Sequence, residues 1–160
     1  MPSEAFPGSL LLSYGTAPYD IHLEAKSAGN GNDIIAVITG GTRPHVGAVA
    51  LAEPAFAAHP VTGEPDIAPH PVTGERDITP PPSADEPGAK RPVPVSVPVA
   101  SLSASGHKDA VLAEMFAKGL CERFGVNVCA SAGVHVDGAN QDEIALMVEN
   151  AKKLLAIATA

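Results

Sequence analysis

The segment KDAVLAEMFAKGLCERFGVNVCASAGVHVD, Lys108 to Asp137, changes its hydrophobic period once, at Gly125. Before that glycine, Val111, Leu112, Met115, Phe116, Leu120 and Phe124 recur at helical spacing, which predicts a helix beginning near His107 or Lys108 with one apolar stripe. After it, Val126, Val128, Ala130, Ala132, Val134 and Val136 alternate with Asn127, Cys129, Ser131, Gly133, His135 and Asp137, the period of a strand with one buried face. Downstream, Asn140-Gln141-Asp142-Glu143 reads as a capping box. It opens a second helix with Ile144, Met147, Val148, Ala151, Leu154 and Leu155 as its buried stripe.

Upstream the chain reads as strands. Ile21, Leu23 and Ala25 alternate with charged or polar neighbours. Asp33 to Ile38 and Val46 to Ala52 are apolar runs flanking Gly40-Gly41-Thr42-Arg43-Pro44-His45, and are expected to be neighbouring antiparallel strands joined by a glycine-rich loop. In Val93-Pro94-Val95-Ser96-Val97-Pro98-Val99 both prolines share one parity, so their missing amides fall along one edge, as in a blunted edge strand. Four strands, a helix, a strand and a helix predict an α+β domain: a mostly antiparallel sheet with two helices in the C-terminal half.

Composition narrows the function. Ten Lys and Arg against eighteen Asp and Glu give a net charge of −8, the wrong sign for following a phosphate backbone or an anionic membrane. No apolar run approaches the roughly 20 residues of a membrane span, and Leu10 to Leu12 is too short for a signal peptide. A cytoplasmic protein is expected. Cys121 and Cys129 form no paired metal or redox motif and read as reduced, buried thiols. Ten of the sixteen prolines lie between Pro54 and Pro92, together with an eleven-residue repeat that starts at His59 and again at His70. The expectation is one domain over residues 1–160 carrying a proline-rich flexible insert at about 54–92.

Three short segments hold residues that packing does not require: Thr39 to Gly47, Ser105 to Asp109 and Gly133 to Asp137. Gly40 and Gly41 either relieve strain in a tight turn or, with Arg43, line an anion. Gly106, His107 and Lys108 at a helix start either offer amides and an ammonium group to a phosphate or leave a solvated lysine, with Asp109 answering the dipole. His45, His107 and His135 lie on separate elements without paired ligand spacing, so no metal site is assigned. His135 and Asp137 lie side by side with no activated nucleophile, which leaves catalysis the weaker class.

GGTRPHVGAVALA (Gly40 to Ala52), SGHKDAVLAEMFA (Ser105 to Ala117) and SAGVHVDGAN (Ser131 to Asn140) together resemble the LpdD-like family, small proteins associated with UbiD-type hydroxyaryl-acid decarboxylases. The resemblance implies a non-enzymatic chaperone that binds reduced prenylated FMN and delivers it to an apo-decarboxylase. It also implies a homodimer with a fold similar to proteasome-assembly chaperones. For such a ligand Gly40, Gly41, Arg43, Gly106 and Lys108 are the expected anion site for the phosphate, and Ala130, Gly133, Gly47 and Ala48 are expected to border a slot for the ring; motif position adds His45, His107 and His135 as cofactor-binding polar contacts. A structural accessory subunit of the decarboxylase, or a small metal- or flavin-dependent enzyme, are the alternatives. Turnover would mark the enzyme, and tight partner binding without a small ligand the structural accessory.

Overall fold

In a computed structural model, which describes residues 5–29, 33–55, 94–105 and 108–160, the alternating segments pair into one sheet. Its strands are β1 (Ser9–Tyr14), β2 (Ile21–Ala28), β3 (Asp33–Gly41), β4 (Ala48–Ala52), β5 (Val99–Ser103) and β6 (Val128–His135). Helix α1 (Ala110–Phe124) precedes β6 and helix α2 (Gln141–Ala158) follows it. The spatial order is β1-β2-β3-β6-β4-β5, and every pairing is antiparallel except β3 with β6. The predicted α+β class, with a mostly antiparallel sheet and two helices in the C-terminal half, describes this architecture.

Three expectations change. β3 and β4 flank the glycine-rich loop but are not neighbours: β6 inserts between them, parallel to β3 and antiparallel to β4. The edge strand runs over Val99–Ser103, after Pro94 and Pro98 rather than through them. Proline has no amide for a ladder, and among the described residues upstream of β5 the pairing is reduced to one bridge between Ala55 and Ser96, which continues the β4–β5 pairing. β1 is an additional strand: Leu10, Leu11 and Leu12 hide the alternation, and of the three only Leu11 points to solvent. The proline-rich repeat, Gly106 and His107 lie outside the described residues.

Both helices cover one face of the sheet, α1 over β4 and β6 and α2 over β1 and β2. The inward residues of β4 and β6 are mostly alanine: Ala48, Ala50, Ala52, Ala130 and Ala132, all nearly inaccessible. These short side chains let α1 approach closely enough for Leu112, Phe116, Leu120 and Phe124 to fill the layer. Gly125 ends α1 in the left-handed conformation, φ 64°, its amide donating to the Cys121 carbonyl at 2.8 Å. The capping box at α2 is present: the Glu143 amide donates to Asn140 Oδ1 at 3.0 Å and the Asn140 amide to Glu143 Oε2 at 2.8 Å. Glu143 also accepts from the Tyr19 hydroxyl, and Asn150 Nδ2 donates to the Tyr19 carbonyl at 2.9 Å, which ties α2 to the approach to β2. Met147, Ala151 and Leu154 are buried as predicted, whereas Ile144 in the first turn is exposed.

Of the two thiols expected to be buried, Cys121 is buried and Cys129 is half-buried. Burial, followed by the charges of Glu122 and Glu53, pushes the Cys121 thiol up to about 11. The thiolate is the nucleophile, so Cys121 is expected to resist iodoacetamide at pH 8 in the folded protein and to react after denaturation. Peptide mapping of the alkylated chain checks this, and rapid native labelling at Cys121 would contradict it.

Candidate functional site

β3 and β6 run parallel, so their carboxyl ends emerge side by side, with Gly41 opposite His135. Gly41 has φ +78°, and a Cβ there would stand 2.2 Å from the His135 carbonyl oxygen, so glycine meets both a backbone and a space requirement. The chain then turns back across β6. Thr42 and Arg43 donate their amides to the His135 carbonyl at 2.8 and 3.2 Å, and Gly47 donates to the Ala132 carbonyl at 2.9 Å. These bonds place Arg43, His45 and His135 around one surface depression of about 360 Å³, which Pro44 also lines.

Arg43 Nη1 lies 3.1 Å from Asp137 Oδ1, and His135 Nε2 lies 2.9 Å from the same oxygen. The hydrogen bond from His135, with the Arg43 guanidinium beside it, holds the Asp137 carboxyl below its ordinary range despite some desolvation. The pairing is therefore complete at neutral pH and lost as acid protonates Asp137. His45 packs edge-to-face on His135 with ring centroids 5.9 Å apart. Its Nδ1 faces the Arg43 carbonyl at 3.1 Å and its Nε2 faces Asp109 Oδ2 at 3.5 Å.

Asp109 joins this site to α1. It occupies the N-cap position but makes no side-chain cap bond; its Oδ1 accepts from the Val134 amide at 3.0 Å instead. A Cβ on Gly47 would stand 2.0 Å from Asp109 Oδ2, and one on Gly133 would stand 1.7 Å from the His45 carbonyl oxygen. Both glycines are thus places where another part of the site lies against bare backbone.

The structure brings together Arg43, His45 and His135 of the residues that the sequence singles out. Lys108 is exposed, one residue before Asp109. Gly41 closes the strand end, and Gly40 is buried in β3, where a Cβ would stand 2.4 Å from the Asp20 carbonyl oxygen. At both positions the missing Cβ lets neighbouring backbone pack closely. The expected ring slot is corrected: Ala130 and Ala48 face the helices, and the space beside Gly133 and Gly47 is filled by His45 and Asp109. Asp109 and Asp137 are additional site members. An acidic residue at a helix start reads as a cap, so nothing local marks Asp109 as a partner of His45. Asp137 stands beside His135 in the sequence, but the approach of Arg43 has no local signal. Among the described residues, no group of three or more His, Cys, Asp or Glu is arranged to hold a metal ion.

Comparison with solved structures finds similarity to one described as "Crystal Structure of a Novel Chaperone Complex for Yeast 20S Proteasome Assembly". The match has a TM-score of 0.46 at 11% identity and covers 93% of this chain and 92% of that one. No curated protein matches. The family model described as "Prenylated flavin chaperone LpdD-like domain" matches residues 15–79 and 82–159, which include every element from β2 to α2 and the whole Arg43, His45, Asp109, His135 and Asp137 cluster. The chain belongs to the prenylated flavin chaperone LpdD-like family.

Proposed function

We propose that this protein is a cytoplasmic carrier that binds reduced prenylated FMN and delivers it to an apo UbiD-type decarboxylase, acting as a homodimer. The observation that carries this reading is family membership over nearly the whole chain, which supports a non-enzymatic, cofactor-binding role. Residues 1–160 form one domain on this reading, with the proline-rich stretch at about 54–92 as its insert.

The depression at the ends of β3 and β6 fits part of such a ligand. Its volume of about 360 Å³ falls within the range of small-molecule sites, about 300–1,000 Å³. It is edged by a guanidinium and two imidazoles, donors suited to a phosphate. Arg43 holds the phosphate, with Lys108 at the adjacent helix start as a second cation, and His45 and His135 supply polar contacts. The bound flavin supplies chemistry to the partner enzyme, while this chain holds it and gives it up.

Anaerobic native mass spectrometry with reduced prenylated FMN is expected to show a ligand-bound dimer, and mixing with apo-decarboxylase is expected to restore activity. Absence of binding to the wild-type chain would overturn the reading. A charge-assisted hydrogen bond contributes roughly 1.5–3 kcal/mol, so Arg43→Ala is expected to weaken binding about tenfold or more, with Lys108→Ala comparable. Dephosphorylated ligand should scarcely distinguish either variant from wild type. Equal losses for both ligands would move the phosphate away from these residues.

A further inference from the structure

We infer that Asp137 is a built-in counter-anion: its carboxylate holds the position between Arg43 and His135 that a ligand phosphate takes, and its competition weakens the hold of the site on every phosphate. The inference rests on the phosphate placement proposed above, and inorganic phosphate as a probe tests it apart from the carrier reading.

Two donors on different elements converge on one oxygen. Arg43 Nη1, from the loop after β3, lies 3.1 Å from Asp137 Oδ1 and 3.4 Å from Oδ2, while His135 Nε2, at the end of β6, lies 2.9 Å from Oδ1. A guanidinium and an imidazole meeting at one carboxylate oxygen are arranged as they would be around a phosphate oxygen. The hydrogen bond from His135, with Arg43 beside it, keeps Asp137 ionised at neutral pH. Any anion that approaches Arg43 therefore meets a standing competitor.

The two carboxylates of the site are held differently. The Asp109 side chain is 9% exposed, accepts from the Val134 amide and lies against the bare backbone of Gly47, so it is fixed. The Asp137 side chain is 63% exposed. It stands in the turn after β6, where the Ala139 amide donates to the Val136 carbonyl at 3.3 Å and Gly138 takes φ 70°. That backbone bond does not involve the Asp137 carboxylate, so rotation of the side chain releases Arg43 and His135 without moving the fold. An exposed ion pair of this kind adds little to stability, which leaves it exchangeable. A phosphate monoester carries a charge of about −1.5 to −2 and three acceptor oxygens, more than the carboxylate offers, so it takes over both donors. Because the competition weakens every phosphate by the same factor, a ligand with further contacts stays bound while free phosphate is largely turned away. The same competition loosens a ligand that has to be given up.

Anaerobic titration calorimetry of the full chain is the test, with reduced prenylated FMN, its dephosphorylated form and inorganic phosphate as probes. Asp137→Asn and Asp137→Ala, both at an exposed turn position, are expected to melt as wild type does. They are expected to bind reduced prenylated FMN about tenfold more tightly, the equivalent of one charge-assisted hydrogen bond that no longer has to be broken. Inorganic phosphate is expected to gain by the same factor and the dephosphorylated flavin not at all. Glu149→Gln, which removes another exposed carboxylate, paired with Lys153 on α2, is expected to bind as wild type does, which separates the effect from net charge. Unchanged or weaker binding of reduced prenylated FMN by both Asp137 variants would overturn the inference, because a carboxylate that only positions Arg43 loses ligand when it is removed. An equal gain for the dephosphorylated form, or a gain in Glu149→Gln, would overturn it as well. If wild type binds no flavin while inorganic phosphate still binds the Asp137 variants more tightly than wild type, the carrier reading falls and the counter-anion stands.

Discussion

Gly133→Ala is expected to dismantle the candidate site and to lower stability by about 3 kcal/mol, the upper part of the range for overpacking. The new methyl would stand 1.7 Å from the His45 carbonyl oxygen, well inside van der Waals contact. The obstacle is backbone, so no side-chain rotation relieves it. Either the Arg43 to Gly47 segment lifts from β6 or the end of β6 shifts. Both disturb the 3.0 Å bond from the Val134 amide to Asp109 and the contact of Asp109 with His45. Loss of flavin binding together with a fall in thermal midpoint of several degrees is the expected readout. A variant with wild-type melting and binding would show that His45 does not rest on bare backbone at β6.

Phe116→Ala is expected to have the largest effect on stability, about 3–5 kcal/mol, the usual cost of removing a buried aromatic side chain. Phe116 is completely buried and is the largest of the fully buried side chains among the described residues. It belongs to the α1 layer above β4 and β6, whose inward residues are nearly all alanine. Alanines have no longer side chain to move into the vacated space, so the cavity relaxes poorly. At about 2–4 °C per kcal/mol for a chain of this size, the midpoint should fall by roughly 10 °C. Equilibrium urea unfolding measures the difference directly, and a loss below about 1 kcal/mol would show that α1 does not bear on the sheet through this ring.

Local pattern carried much of the fold. The change from helical to alternating spacing at Gly125 located α1 and β6, and the reciprocal Asn140–Glu143 bonds that open α2 were already written in the four residues Asn140 to Glu143. These features depend on neighbours within one turn or one strand, which is why adjacent residue types suffice to specify them. The same holds for the site in outline: Arg43, His45 and His135 stood out because a loop or strand end gains no packing from them.

Strand order and the partners within the site were decided elsewhere. The loop from Gly41 to Gly47 looks like a hairpin connection because a short glycine-rich link between apolar runs favours adjacent strands. Instead β6, arriving from far along the chain, pairs with both β3 and β4, since its inward alanines continue the shallow floor on which α1 lies. That insertion sets Gly41 against His135, closes the loop over Gly133 and carries Asp137 to Arg43. Asp109 is drawn from capping its own helix to the Val134 amide and His45 by the same packing. Residue periodicity determines which face of each element is buried; the fit of the sheet beneath the helices determines which strand ends meet, and therefore which side chains form the site.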